Sequence, residues 1–171
     1  MPGSVIGKSL NLGYPGNVSR SADAIIDNRI VKATDTTNIY FGDPVVLNPD
    51  NTYSRFGATG TAVTFAGIAV REVKQTLEYI TSQGFYAPGQ PCDVLSRGPI
   101  VVVCNVGTPS AGGAVYIRVA TNAAFPAGVI GGFEAAADGT NTVQIPGAKW
   151  TTGKLDANRV AEVTLTQRNN P

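Results

Sequence analysis

The side chains able to do chemistry in this chain are few and scattered. There is no histidine, so nucleophile–imidazole catalysis and imidazole-bound metals are excluded. Two carboxylates flanking a bond would serve glycoside hydrolysis. The candidates are Glu72, Glu78, Asp93, Glu134 and Glu162, and their spacing selects no pair. Glu72, Asp93 and Glu162 stand in alternating strand-like runs, where an outward charge is ordinary. The run Gly107-Thr108-Pro109-Ser110-Ala111-Gly112-Gly113 has the glycine spacing of a phosphate loop. It lacks the lysine and hydroxyl that must follow, and its proline removes an amide from the cradle. It reads as a turn. Asp138 and Asn141 offer oxygen ligands in a turn, without the acidic alternation or distal glutamate of a calcium loop. Turn formation is reason enough for them. No catalytic residue, cofactor site or metal site is therefore expected.

Cys92 and Cys104 are the only cysteines. If Gly98-Pro99 is a hairpin turn, the two face each other across adjacent strands, and a disulfide is conceivable. The favoured reading is two small buried apolar side chains, because Met1-Pro2-Gly3-Ser4 leads into Lys8 with no apolar run and no signal peptide is expected. The aromatics are dispersed. Trp150, beside Lys149 and Thr151-Thr152-Gly153, is singled out as a candidate interface anchor, since tryptophan is enriched at binding hot spots.

The elements that must carry these residues read as strands. Ala24 to Ala33, Val45 to Leu47, Phe65 to Val73, Val115 to Val119 and Val160 to Gln167 are apolar or alternating runs. Cys92 to Ser96 and Ile100 to Val106 form the hairpin just named. Helix signals are poor, with one short turn conceivable around Gln75-Thr76-Leu77-Glu78-Tyr79. Glycine and proline, 20 and 11 of 171 residues, punctuate the rest. Many short strands between Gly/Pro/Asn turns predict a mainly β fold, a compact antiparallel barrel or sandwich. Residues 1–22 read as an extended N-terminal arm and 23–171 as a single β domain. The arm either folds back on its own domain or laces over a neighbouring molecule. A faint echo relates Gly42–Leu47 and Phe65–Ala69 to Gly112–Ile117 and Ile130–Ala135. It is either a duplicated half or the common look of two hairpins, and the second is preferred.

Composition narrows the partners. Net charge is +1, so no basic surface for nucleic acid is expected. The longest apolar stretch, Pro99 to Cys104, is far too short to span a bilayer. Charged residues are 15% of the chain, against roughly 25% in ordinary soluble domains. Such a surface suits a protein covered by partners. Charge should be sparser still on the arm and on the faces that touch neighbours.

One ordered series of segments carries a resemblance. It runs through Leu12-Gly13-Tyr14-Pro15-Gly16-Asn17-Val18-Ser19-Arg20, then Phe41-Gly42-Asp43-Pro44-Val45-Val46-Leu47, then Phe65-Ala66-Gly67-Ile68-Ala69-Val70-Arg71-Glu72-Val73. It continues through Tyr86-Ala87-Pro88-Gly89-Gln90-Pro91-Cys92-Asp93-Val94-Leu95-Ser96-Arg97-Gly98 and Val106-Gly107-Thr108-Pro109-Ser110-Ala111-Gly112-Gly113-Ala114-Val115-Tyr116-Ile117-Arg118. From about Leu10 to Leu165 the chain resembles the capsid cement, or head-decoration, proteins of tailed bacteriophages. The resemblance implies a non-enzymatic virion protein, made in the bacterial cytoplasm and placed on the outer capsid surface. Its implied partners are the major capsid protein and itself, with a homotrimer favoured and a homodimer possible, and no nucleic acid or membrane. Leu10, Leu12, Tyr14, Pro15 and Arg20 of the arm, with Trp150, are the candidate capsid or oligomer contacts. The alternative is a non-catalytic carbohydrate- or surface-binding β module for host attachment.

Overall fold

The computed structural model describes residues 12–72 and 84–168. The possible helical turn around Gln75–Tyr79 lies outside them. Eleven strands follow in order: β1 (Ile25–Ile30), β2 (Ile39–Tyr40), β3 (Pro44–Leu47), β4 (Tyr53–Arg55), β5 (Phe65–Ala69), β6 (Phe85–Tyr86), β7 (Pro91–Val106), β8 (Ala114–Arg118), β9 (Phe133–Glu134), β10 (Thr142–Trp150) and β11 (Val160–Leu165). A single 3-10 turn, Gly139–Asn141, precedes β10. The fold is mainly β, as the run of short alternating segments predicts.

β7 organises everything else. It is 16 residues long and continuous, so the expected hairpin at Gly98-Pro99 is corrected to one strand. Along its C-terminal half a ring closes in the order β7, β11, β10, β8, β9 and back to β7. All neighbours in that ring are antiparallel except β7 and β9, which run parallel. Along its N-terminal half a second ring runs β1, β7, β5, β3, β4, and the bridge between Val31 and Tyr53 closes it. Two small barrels thus share one strand. Each has its own core: Ile100, Val102, Cys104, Ile117, Phe133, Trp150 and Val163 lie in the C-terminal one. Val31, Phe41, Tyr53, Ala69, Tyr86, Cys92 and Val94 lie in the N-terminal one, with the β2–β6 pair supplying Ile39 and Tyr86.

Gly98 and Pro99 sit where β7 changes partners. Residue 97 pairs with Ile25 of β1, and residue 98 with Leu165 of β11. The carbonyl of Pro99 accepts from Ser19 N–H at 3.1 Å, so the backbone of Pro99 faces the arm rather than β11. The missing N–H of proline therefore costs β11 no ladder bond. Gly98 has φ of +116°, and a Cβ there would meet the carbonyl oxygen of Asp23 at 3.0 Å. The glycine permits the arm to cross β7 closely. It is a crossing residue, not a turn residue.

The same geometry decides the cysteines. Cys92 and Cys104 are both free and buried. Twelve residues apart on one strand, they are separated by about 40 Å, far beyond disulfide reach. Each fills a different core, as small apolar side chains do. The internal echo maps onto β3/β5 and β8/β9, but β5 runs antiparallel to β7 and β9 parallel. Two copies of one half would meet β7 in the same sense.

Candidate docking surfaces

The arm is fixed to the barrels from Leu12 onward. Gly16 N–H donates to the Val101 carbonyl at 2.8 Å, and Val101 N–H to the Asn17 carbonyl at 3.0 Å, on the C-terminal half of β7. Arg71 N–H, just beyond β5, donates to the Gly16 carbonyl at 2.8 Å. One residue thus ties the arm to both barrels. The crossing is possible because Gly16 and Gly42 stand back to back, both with φ of +84°. A Cβ on Gly16 would lie 2.8 Å from Arg71 N, and one on Gly42 would lie 2.8 Å from Pro15 Cβ. Val18 bridges to Ile100. The described part of the arm therefore folds back on its own chain.

The arm candidates are distributed along this lash. Leu10 lies outside the described residues. Leu12 N–H donates to Asp156 Oδ2 at 3.2 Å. Burial works to raise the Asp156 pKa, but the amides of Val160, Leu12 and Asn158 outweigh it and hold the carboxyl below its usual range. Tyr14 is 64% exposed, and its ring lies 4.9 Å from the guanidinium carbon of Arg71. Arg71 also reaches the Phe41 ring at 5.8 Å. This stack holds an aromatic face at the surface where the two barrels join. Pro15 packs against Gly42, half-buried. Arg20 donates to Glu162 Oε1 at 2.5 Å. The structure thus brings Tyr14 and Pro15 together, and anchors Leu12 and Arg20 by polar contacts on barrel residues.

Trp150 is corrected. It is 1% exposed and sits in the C-terminal core. β10 turns it inward along with Ala148, and its neighbours Lys149 and Thr151 outward. Its indole N–H is buried with no hydrogen-bond partner among the described residues. Its role in this chain is core filling, and it presents nothing to a partner.

The polar chemistry that sequence reading missed is a buried cluster around Arg118. Val115 and Ile117 of β8 face the core as their alternation predicts, which turns Arg118 to the other face. That face is covered by residues 119–132, which fold back so that Gly131 N–H donates to the Arg118 carbonyl at 2.8 Å. A Cβ on Gly128 would lie 2.2 Å from Arg118 Nε. Glycine there is what lets the loop lie down on the guanidinium. Arg118 is fully buried and makes a two-pronged pair with Glu134, Nε to Oε1 and Nη2 to Oε2. Nη1 donates to Asp138 Oδ2 at 2.9 Å and to the Ala120 carbonyl at 3.1 Å. Asn122 Nδ2 donates to both Asp138 oxygens, at 2.9 and 3.0 Å. The Glu134 carboxylate raises the Arg118 pKa against the burial that works to lower it. Asn122, then Arg118, hold Asp138 below its usual range. Asp138 is thus an arginine partner, and its reading as a turn residue is extended to a clasp. An arginine in a strand, followed within 20 residues by two carboxylates and three glycines, was the available signal.

The remaining carboxylates sit apart. Asp93 accepts from Asn28 Nδ2 at 2.6 Å, and Glu162 from Arg20. Asp43 pairs with Arg55 at 2.6 Å, yet burial outweighs that cation and raises its pKa. Among the described residues no cluster of three His, Cys, Asp or Glu side chains is placed to hold a metal. Large apolar side chains stand exposed at several places among the described residues, Tyr14, Tyr40 and Val63 singly and two groups together. Ile25, Ile26 and Ile30 project from β1, at 36%, 46% and 55% exposure. Phe125 and Val129 tip the loop over Arg118.

The family model of phage structural cement proteins, described by E217 gp24 and Pam3 gp6, matches residues 1–166. The chain belongs to that family of structural cement proteins, and it is a capsid-associated structural protein of the phage virion. A chain from the solved capsid of Myoviridae phage XM1 has the same fold, with a TM-score of 0.71 at 19% identity, over 97% of this chain and 98% of that one. No curated protein sequence matches.

Proposed function

We propose that this protein decorates the outer surface of an icosahedral phage head and stabilises it by binding across major capsid protein subunits, as a homo-oligomer. The observation that carries the reading is the family match over residues 1–166, arm included. The lash supports it physically. A clamp across a subunit seam must transmit load, and an arm whose root is hydrogen-bonded to both barrels through Gly16 has a firm origin. The Tyr14 ring, held over Arg71 at that same junction, is the exposed arm side chain best placed to meet the shell. Many copies around the head give avidity, so each contact can be weak.

The test removes residues 1–11 and leaves the lash in place. Purified heads are saturated with the truncated and the full chain, and bound copies per capsid are counted. Occupancy should fall sharply for the truncated chain while its melting temperature stays within the error of the full chain. Unchanged occupancy retires the arm as a capsid contact. Binding of the isolated full chain to glycans, with none to heads, would favour the host-attachment module instead.

A further inference from the structure

We propose that residues 119–132, together with the cleft between them and the arm root, receive an uncharged apolar segment of the major capsid protein. These residues form a loop whose ends lie side by side. It leaves β8 after Arg118 and enters β9 at Phe133, and Ile117 pairs with Phe133 across its base. Arg118 N–H donates to the Gly132 carbonyl at 3.0 Å and closes it. Inside, turn follows turn. Phe125 N–H donates to the Asn122 carbonyl at 3.0 Å, Gly128 N–H to the Phe125 carbonyl at 2.9 Å, and Gly132 N–H to the Val129 carbonyl at 2.7 Å. Compact surface loops of this kind, about 6–16 residues long, are frequently functional.

The side chains say what the loop would meet. From Val119 to Gly132 no residue is charged. Ala123, Ala124, Phe125, Pro126 and Ala127 are exposed one after another, and Val129 is 50% exposed. So long a run of exposed apolar residues is a fault in a free surface unless it serves a contact. Beneath it the Arg118 clasp fixes its shape. Gly128 lies against the guanidinium, and the Phe125 ring is 5.9 Å from the guanidinium carbon. Asn122 links the clasp to the run, its Oδ1 accepting from Ala124 N–H at 3.0 Å while its Nδ2 holds Asp138. Apolar side chains of similar volume would fill that space with equal or greater stability. What the buried ions add is a loop held in one conformation, so little order is left to impose on docking.

Val129 also lines a cleft of about 240 Å³, with Pro15 of the arm, Phe41, Val103 and Phe133 as its other large apolar walls. The charged residues of its lining are Asp43 and Arg55, already paired at 2.6 Å. An entering charge would lose its hydration and find both counter-ions engaged, so the cleft suits an apolar side chain. Pro15 follows Tyr14, whose exposed ring is the shell contact of the decoration reading. Loop, cleft and arm root thus make one continuous surface. The inference rests on that reading, and this continuity is what assigns the occupant to the shell rather than to a second copy.

The test uses the full chain and purified heads lacking it, and reads bound copies per head against free concentration. Val129→Asp puts a charge on the cleft without touching the clasp. It should raise the half-saturating concentration about tenfold or more, with the melting temperature kept. Ala124→Asp should act in the same direction. Asn122→Ala cuts the link from the clasp, and should weaken head binding while amide exchange quickens at Ala124. Ile26→Asp, a similar change on the other barrel, should leave binding unchanged. Unweakened binding by Val129→Asp overturns the proposal and leaves the decoration reading standing. Equal weakening by Ile26→Asp also overturns it, since the effect would then belong to apolar surface in general. A soluble oligomer that Val129→Asp breaks would make the loop a contact between copies instead. Unweakened binding by Asn122→Ala, with the Ala124 amide quickened, removes the clasp from the proposal. No binding of the unmodified chain retires the decoration reading and this proposal with it.

Discussion

Near the C-terminal end of β7 an arginine lies wholly buried beneath a loop. Near its other end three isoleucines stand in solvent on β1. Both barrels are closed on the same strand, and they treat polarity in opposite ways. The C-terminal barrel closes through paired strands all the way round. It can bury a charge because Glu134 and Asp138 neutralise Arg118 and the Ala120 carbonyl takes a further donor. The N-terminal barrel closes through one bridge at Val31, where β4 meets the edge of β1, and leaves the isoleucines of that strand exposed. A sealed ring can spend its sequence on internal order, here the shape of one loop. A ring closed at a single bridge leaves its apolar strand residues to solvent.

The largest test of that contrast is Glu134→Ala. It leaves a buried guanidinium short of its main partner, and removing one partner of a buried pair costs about 3 kcal/mol or more. Chemical denaturation should show that loss. A change below about 1 kcal/mol, the scale of an exposed pair, would mean the cluster is solvated and the contrast false.

Gly16→Ala comes next. The new Cβ would meet Arg71 N at 2.8 Å in a left-handed backbone conformation, and crowding of this kind costs about 1–3 kcal/mol. Because Gly16 touches both barrels, amide exchange should quicken at both Val101 and Arg71. Exchange quickening at only one of them would show that the lash serves one barrel and not the junction.

A smaller effect is expected in acid. Asp138 has its pKa held below the usual value, so its stabilising contribution is present above the unfolded carboxylate pKa and is lost as pH falls through the lowered one. The melting temperature should drop through that window, and Asp138→Asn should flatten the drop. An unchanged pH profile in Asp138→Asn would place the acid sensitivity elsewhere. Asp43 has the opposite sign. Its raised pKa means that protonation favours the folded state as pH falls toward the unfolded value.

The smallest effect belongs to β1. Ile30→Lys exchanges one exposed side chain for another, and such changes stay within about 0.5 kcal/mol. A larger loss would mean that Ile30 supports its own barrel and is not spare surface.

Alternation made much of the fold legible. Val115 and Ile117 against the half-exposed Tyr116 are the two faces that the structure shows, whereas in β11 Val160 and Glu162 are buried along with Ala161, Val163 and Leu165, and Thr164 alone is half-exposed. Alternation failed at β5, where all five residues from Phe65 to Ala69 are buried. β5 lies between β3 and β7 with core on both faces, so neither face needed polar residues. Alternation also misled at Arg118, where polar reads as solvent-facing until a loop is seen to cover it. Trp150 was misjudged for the reverse reason. Its polar neighbours suggested a surface, and the pleat of β10 turned them away from it.

The sequence alone determined the class of fold, the absence of imidazole chemistry, and the ordered segments that mark a cement protein. These depend on residue type and on short-range periodicity, which the chain carries wherever it goes. Only the tertiary structure decided that Gly98-Pro99 is a crossing and not a turn, that the cysteines lie in separate cores, and that one strand serves two barrels. Each of those is set by partners distant in sequence. A glycine's positive φ, a proline's missing donor or an arginine's burial has no fixed meaning until the neighbouring strand is known.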